Sequence, residues 1–184
     1  MSMNRVLVLN ADFLPFDVVS WQRGLVMTLD TENCSAYAVE YYSRKVKDGR
    51  GRLYPVPAVI ALKEYINVDH KTAPYTKSNI YARDLYICQY CREDFRGRRE
   101  LLTVDHVIPR SKWNGQTERV STFNNVVTCC KICNSSKANK SLEEFGMVLL
   151  RHPKGITRRQ AFINRIMCSI NIPYEWKQYI ESLS

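Results

Sequence analysis

Apolar and polar positions change period several times along the chain, and each change predicts an element. Residues 5–11 (RVLVLNA) are dense in Val and Leu and predict an opening strand, closed by the turn chemistry of Asp12 and Pro15. Ser20 is a fitting helix N-cap. Trp21, Leu25 and Leu29 follow at helical spacing, around a Gly24 that weakens the helix. Residues 36–42 (AYAVEYY) alternate and predict a strand running into the basic loop 44–52 (RKVKDGRGR). Residues 59–68 (VIALKEYINV) predict another strand after Pro55 and Pro57, and 70–79 (HKTAPYTKSN) read as a polar connector. A further β-type run, 101–108 (LLTVDHVI), leads into Pro109 and the polar loop 111–119. Ser141 and Glu144 fit a capping box opening a helix that carries Leu142, Phe145 and Leu149 on one face and ends near Arg151. Thr157 and Gln160 fit a second, followed by Phe162, Ile166 and Ile170 at four-residue steps and a stop before Pro173. A short last helix carries Trp176 and Ile180. Core packing accounts for these C-terminal stripes more simply than a dimer interface does. The pattern is α+β, in three parts: 1–80, a small mixed α/β accessory region; 81–152; and a helical extension, 153–184.

Composition changes the picture in two ways. A net charge of +9 over 184 residues argues for a polyanionic partner, most simply nucleic acid. The loop 44–52 could touch phosphate or be a solvated hairpin tip; its residues allow both. The seven cysteines are an odd number, the apolar run 6–9 is too short for a secretion signal, and no stretch reaches the ~18 apolar residues of a membrane span. The expectation is a cytoplasmic protein without a disulfide framework, in which Cys34, Cys129 and Cys168 are buried thiols.

Candidate chemistry concentrates between residues 87 and 140. Cys88-x-x-Cys91 and Cys130-x-x-Cys133 together supply four thiolates, the set that structural Zn²⁺ takes as a closed tetrahedron. Cys129 is an alternative to Cys130, but the two-residue spacing to Cys133 favours Cys130. Asp105 and Asn134 offer oxygen ligands to a harder cation, leaving His106 for proton transfer. Asp105 and His106 are consecutive on a predicted strand, so their side chains can share one site only if the strand ends, bends or bulges there. Val68-Asp69-His70 repeats the same three residues without flanking cysteines and is read as coincidence. Asn134 is expected to start a helix over 134–140, with Lys137 on its face.

These residues resemble the HNH endonucleases and their ββα-metal fold: Cys88-x-x-Cys91, Asp105-His106, Pro109, Asn125, then Cys130-x-x-Cys133-Asn134-x-x-Lys137. The likeness covers about residues 81–152. The stretches NADFLPFDVVSW, PAVIALKEY and NIYARDLYICQYC also look like parts of small free-standing HNH proteins of bacteria and their phages. The resemblance implies His106 as general base and Asp105 and Asn134 as ligands of one Mg²⁺ or Mn²⁺ at the scissile phosphate. It further implies Asn125 as the residue that orients His106, and zinc on Cys88, Cys91, Cys130 and Cys133. Lys137, Arg110, Lys112, Arg98 and Arg99 become expected phosphate contacts. Two departures stand out: Asn114-Gly115 replaces a frequent Gly-Gly, and Asn134 replaces His, which favours a hard ion such as Mg²⁺. The implied partner is double-stranded DNA, with a homodimer needed for a double-strand cut and phage packaging or defence proteins as further partners. A non-catalytic zinc ribbon and an RNA-directed nuclease are the alternatives.

Overall fold

The computed structural model describes residues 5–29, 35–67, 71–114 and 119–181. Cys34, Val68-Asp69-His70 and Gly115 lie outside the described residues. By compactness the chain divides into residues 1–69 with 171–184, and residues 70–170.

The first unit is built on a four-stranded sheet of order β2-β1-β4-β3. Its strands are β1 (Arg5–Leu9), β2 (Pro15–Ser20), β3 (Ala36–Lys47) and β4 (Leu53–Leu62). β1 runs antiparallel to β2 and parallel to β4, and β3 runs antiparallel to β4. Between the turn at Asp12 and the Ser20 cap the chain forms β2, a strand that the pattern does not predict, in which Val18 and Val19 pair with Leu7 and Val6. Helix α1 (Trp21–Leu29) follows as its pattern predicts. Gly24 has a packing reason: a Cβ there would stand 2.7 Å from Val6 Cγ2, so only glycine lets the helix lie this close to β1. Val6, Val8, Ala36, Ile60 and Leu62 form the core, with Trp21 and Met27 of α1 against them.

The strand expected over 59–68 begins at Leu53, passes through both prolines and stops at Leu62. β1 pairs with β4 only at residues 59–61, so Pro55 and Pro57 sit where one side of β4 has no strand to bond. The last helix, α6 (Lys177–Glu181), follows a 3-10 turn over Tyr174–Trp176, and Trp176 Nε1 donates to the Ala58 carbonyl at 2.8 Å. The C-terminal residues therefore belong with the N-terminal sheet rather than with an independent extension.

The second unit contains the hairpin of β5 (Leu102–His106) and β6 (Val126–Cys130), then α3 (Lys131–Lys137), in the order β, β, α. Helix α2 (Lys77–Arg83), capped by Thr76, occupies the end of the stretch read as connector. It packs in this unit, which moves the division from residue 80 back to 69. Arg83 fastens it down: its guanidinium donates to the Phe123 and Val126 carbonyls and pairs with Asp84, whose Oδ2 accepts the Thr128 amide at 2.7 Å. α4 (Leu142–Phe145) has the expected capping box on Ser141 but ends at Gly146, whose φ of 70° breaks the helix five residues before Arg151. α5 (Arg158–Met167) starts at its Thr157 cap, yet Gln160 turns to Asn164 instead of closing a box. It buries Ala161, Ile163 and Asn164, leaving Phe162 and Ile166 half-buried and Ile170 exposed. Among the described residues no helix is long and apolar enough to cross a membrane.

Candidate active site

Two short loops bring the paired cysteines together. At the first, the Arg92 amide bonds back to the Cys88 carbonyl at 2.9 Å, and Arg92 takes a left-handed φ of 65°, closing a tight knuckle. At the second, Cys130 ends β6 and caps α3, its Sγ accepting the Cys133 amide at 3.3 Å. The helix therefore starts at Lys131, three residues before the expected Asn134, because Cys130 acts as both cap and cluster member. The Cys130 amide donates to Cys88 Sγ at 3.3 Å, joining the two knuckles. All four sulfurs lie within 4.8 Å of one another, three from buried residues and Cys91 from an exposed one. A zinc tetrathiolate with Zn–S near 2.3 Å needs S–S separations of about 3.8 Å, so the set is the right size to hold a metal ion.

The electrostatics of the cluster favour a cation. Burial pushes the Cys133 thiol well up, and the Cys130 and Cys88 sulfurs add to it. Burial acts the same way on Cys88, but amide donors from Cys91, Cys130 and Tyr90 outweigh it and lower its pKa. Crowded thiolates repel each other, and a dication at their centre reverses that cost. Cys129 takes the other face of β6, buried, with its thiol toward the Thr103 carbonyl at 3.9 Å, and is no part of the cluster. Cys168 is likewise a buried free thiol.

On β5 the pairing stays regular to the end, Asp105 opposite Val127 and His106 opposite Val126. No bulge re-aims this pair; the strand simply ends at His106. Asp105 Oδ2 accepts the Tyr90 hydroxyl at 2.6 Å and the Lys137 ammonium at 2.9 Å. Lys137 Nζ also donates to the His106 carbonyl at 2.8 Å, and the residue has no exposed surface. The expectation that Lys137 touches phosphate is therefore overturned: its long side chain runs inward from α3 and spends its charge on Asp105. Asn134 lies one turn earlier on the same helix, half-buried.

His106 is half-buried, and its Nε2 lies 2.9 Å from Ser121 Oγ. Burial first, then the positive charge of Arg110, lower its pKa below the ordinary 6.5; Asp105 opposes them, and Lys137 adds a smaller push in the lowering direction. The imidazole is thus held in the neutral form that can accept a proton at neutral pH. Asn125 is buried and bonds the loop that joins β5 to β6. Its Oδ1 accepts the Ile108 amide at 2.9 Å, and its Nδ2 donates to the carbonyls of Ile108 at 3.2 Å and Val120 at 3.0 Å. The loop ends beside His106 are tied by one amide.

The remaining basic residues differ in how free they are. Arg110 is exposed near His106. Lys112 pairs with Glu144, and Arg98 with Glu93 at 2.5 Å, both on the surface. Arg99 lies 3.9 Å over the Tyr86 ring and donates to the Cys168 carbonyl at 2.6 Å, a packing role. Sequence reasoning missed Tyr90 and Ser121. Tyr90 stands inside the first Cys-x-x-Cys pair, where a tyrosine signals nothing, and Ser121 meets His106 only through the folding of the loop.

The family model for HNH endonuclease matches residues 88–140. A second, for the HNH endonuclease-associated N-terminal domain, matches residues 6–70. Neither a curated protein nor a solved structure gives a match.

Proposed function

Residues 88–140 belong to the HNH endonuclease family, and from that premise we propose that the chain is a metal-dependent endonuclease hydrolysing phosphodiester bonds of DNA. The observation that carries the reading is His106, set at the end of β5 beside Asp105, with its pKa held down by burial and by the Arg110 and Lys137 charges. A neutral imidazole in that position takes a proton from the attacking water as general base. Ser121 at Nε2 holds the ring, and Asn125 holds the loop ends around it.

Asp105 and Asn134 would hold Mg²⁺ or Mn²⁺, and their oxygen donors fit a hard ion that keeps open positions for phosphate and water. Such an ion supplies Lewis acidity at the phosphate and charge for the leaving oxygen. Lys137 and Tyr90 both engage Oδ2 of Asp105, so they fix the carboxylate's orientation. Cys88, Cys91, Cys130 and Cys133 bind zinc, which is structural because four protein sulfurs leave no open position. The zinc would join the first knuckle to the β6–α3 corner, where Cys130 caps α3. Arg110 contacts the phosphate backbone. Cysteines held as zinc ligands or as thiols, rather than as disulfides, suit a reducing cytoplasm.

Supercoiled plasmid incubated with and without Mg²⁺ tests the reading: open-circle or linear DNA appears only with the metal. His106→Ala abolishes cutting while zinc content and DNA binding persist. Wild-type protein that binds plasmid but leaves it intact would make this a binding module, and cleavage of structured RNA alone would reassign the substrate.

A further inference from the structure

β3 and β4 outrun the sheet they belong to. Tyr42 and Val56 are the last buried residues on the two strands, and everything beyond them, 43–55, is exposed apart from half-buried Val46, Asp48 and Tyr54. Pairing nevertheless continues, Lys45 with Pro55, Val46 with Tyr54 and Lys47 with Leu53. A bare two-stranded ribbon is marginal in water. Here Asp48 locks its tip, accepting the amides of Arg50 at 2.8 Å and Arg52 at 2.9 Å and the Arg52 Nε at 2.8 Å. Arg52 in turn covers the Tyr54 ring.

The charge on this ribbon is one-sided. Residues 44–52 hold Arg44, Lys45, Lys47, Arg50 and Arg52 against Asp48 alone, and Asp48 is engaged by Arg52. Among the described residues no anion meets Lys45, Lys47 or Arg50. Lys45 and Lys47 share one face, because they are two residues apart on a strand, and their cross-strand neighbours there are Pro55 and the 56% exposed Leu53. That face joins cations to an uncovered apolar side chain. From Ser43 to Lys47 the ribbon extends roughly 14 Å at ~3.4 Å per residue.

We propose that the β3–β4 ribbon is a DNA-binding arm that enters the major groove of duplex DNA. The groove of B-form DNA is about 12 Å wide and about 8.5 Å deep and admits a two-stranded ribbon. The deep, narrow major groove of A-form RNA does not. Lys45, Lys47 and Arg50 meet the phosphates along the groove walls, and Leu53 finds apolar cover inside. The inference rests on the nuclease reading only for taking nucleic acid as the polyanion.

The test is Lys45→Gln/Lys47→Gln/Arg50→Gln, its fold checked by an unchanged melting temperature. Binding to a short labelled DNA duplex is followed by anisotropy across a salt series with zinc retained and no Mg²⁺ or Mn²⁺ added. Three lost phosphate contacts reduce the log–log salt slope by about 2.7 and weaken binding at each salt concentration. Binding to the matching RNA duplex changes much less. An unchanged slope on DNA, or an equal loss on RNA, overturns the assignment. Because binding is read without Mg²⁺ or Mn²⁺, a chain that binds DNA through the ribbon but never cuts when Mg²⁺ is supplied would refute the nuclease reading and leave this one standing.

Discussion

Lys137 is the residue whose removal tests the organisation of the site most directly. Lys137→Met keeps the apolar stem and deletes an ammonium that has no exposed surface. Two groups lose a partner: the Asp105 carboxylate, 2.9 Å away and 11% exposed, and the His106 carbonyl at 2.8 Å. Leaving one member of a buried ion pair uncompensated costs about 3–5 kcal/mol. The Tyr90 hydrogen bond and the small solvent opening at Asp105 bring the expected loss to the lower end, about 3 kcal/mol. In the double variant Lys137→Met/Asp105→Asn the stranded charge is gone, so the second substitution returns about 1–2 kcal/mol. Denaturant unfolding at neutral pH and fixed excess zinc measures both. If Asp105 holds the proposed metal, the single variant also binds Mn²⁺ more tightly by titration calorimetry, since a positive charge beside that carboxylate has been removed. A loss under about 1 kcal/mol, or a double variant no more stable than the single one, would show that Lys137 does not neutralise Asp105 and would refute the reasoning.

Two further outcomes follow from the same geometry. Cys133→Ser loses bound zinc and melts well below the wild type, whereas Cys129→Ser keeps its zinc, because Cys129 sits on the opposite face of β6; metal analysis and melting curves decide, and equal zinc loss in both would place Cys129 in the cluster. The lowered pKa of His106 means that its neutral form is favoured by folding: this contribution to stability is present above the ordinary 6.5 and is lost as pH falls through the folded value. The acid limb of the cleavage profile therefore lies below 6.5, and Arg110→Gln, which removes a cation that depresses His106, moves the NMR titration of the imidazole to higher pH; a shift the other way would refute the electrostatic account.

Reading the chain by itself reached the features that depend on a few neighbouring residues. The two Cys-x-x-Cys pairs mark the cysteines that cluster, Ser141 caps the helix it precedes, and the Val and Leu run of β1 forms a strand. Errors came where a distant partner decides. Pro55 and Pro57 suggested a boundary, yet they are tolerated inside β4 because β1 reaches only residues 59–61. The start of α3 moved to Lys131 because Cys130 caps it, and α4 stopped early at Gly146. Lys137 shows the limit best. Spacing put it on the helix after the cysteines, and its charge suggested phosphate. Only the packing of α3 in this unit, with Asp105 and the His106 carbonyl within reach, turned the ammonium inward. A cation in the interior is stable only beside an anion, and which anion it meets is a long-range property that local sequence does not carry.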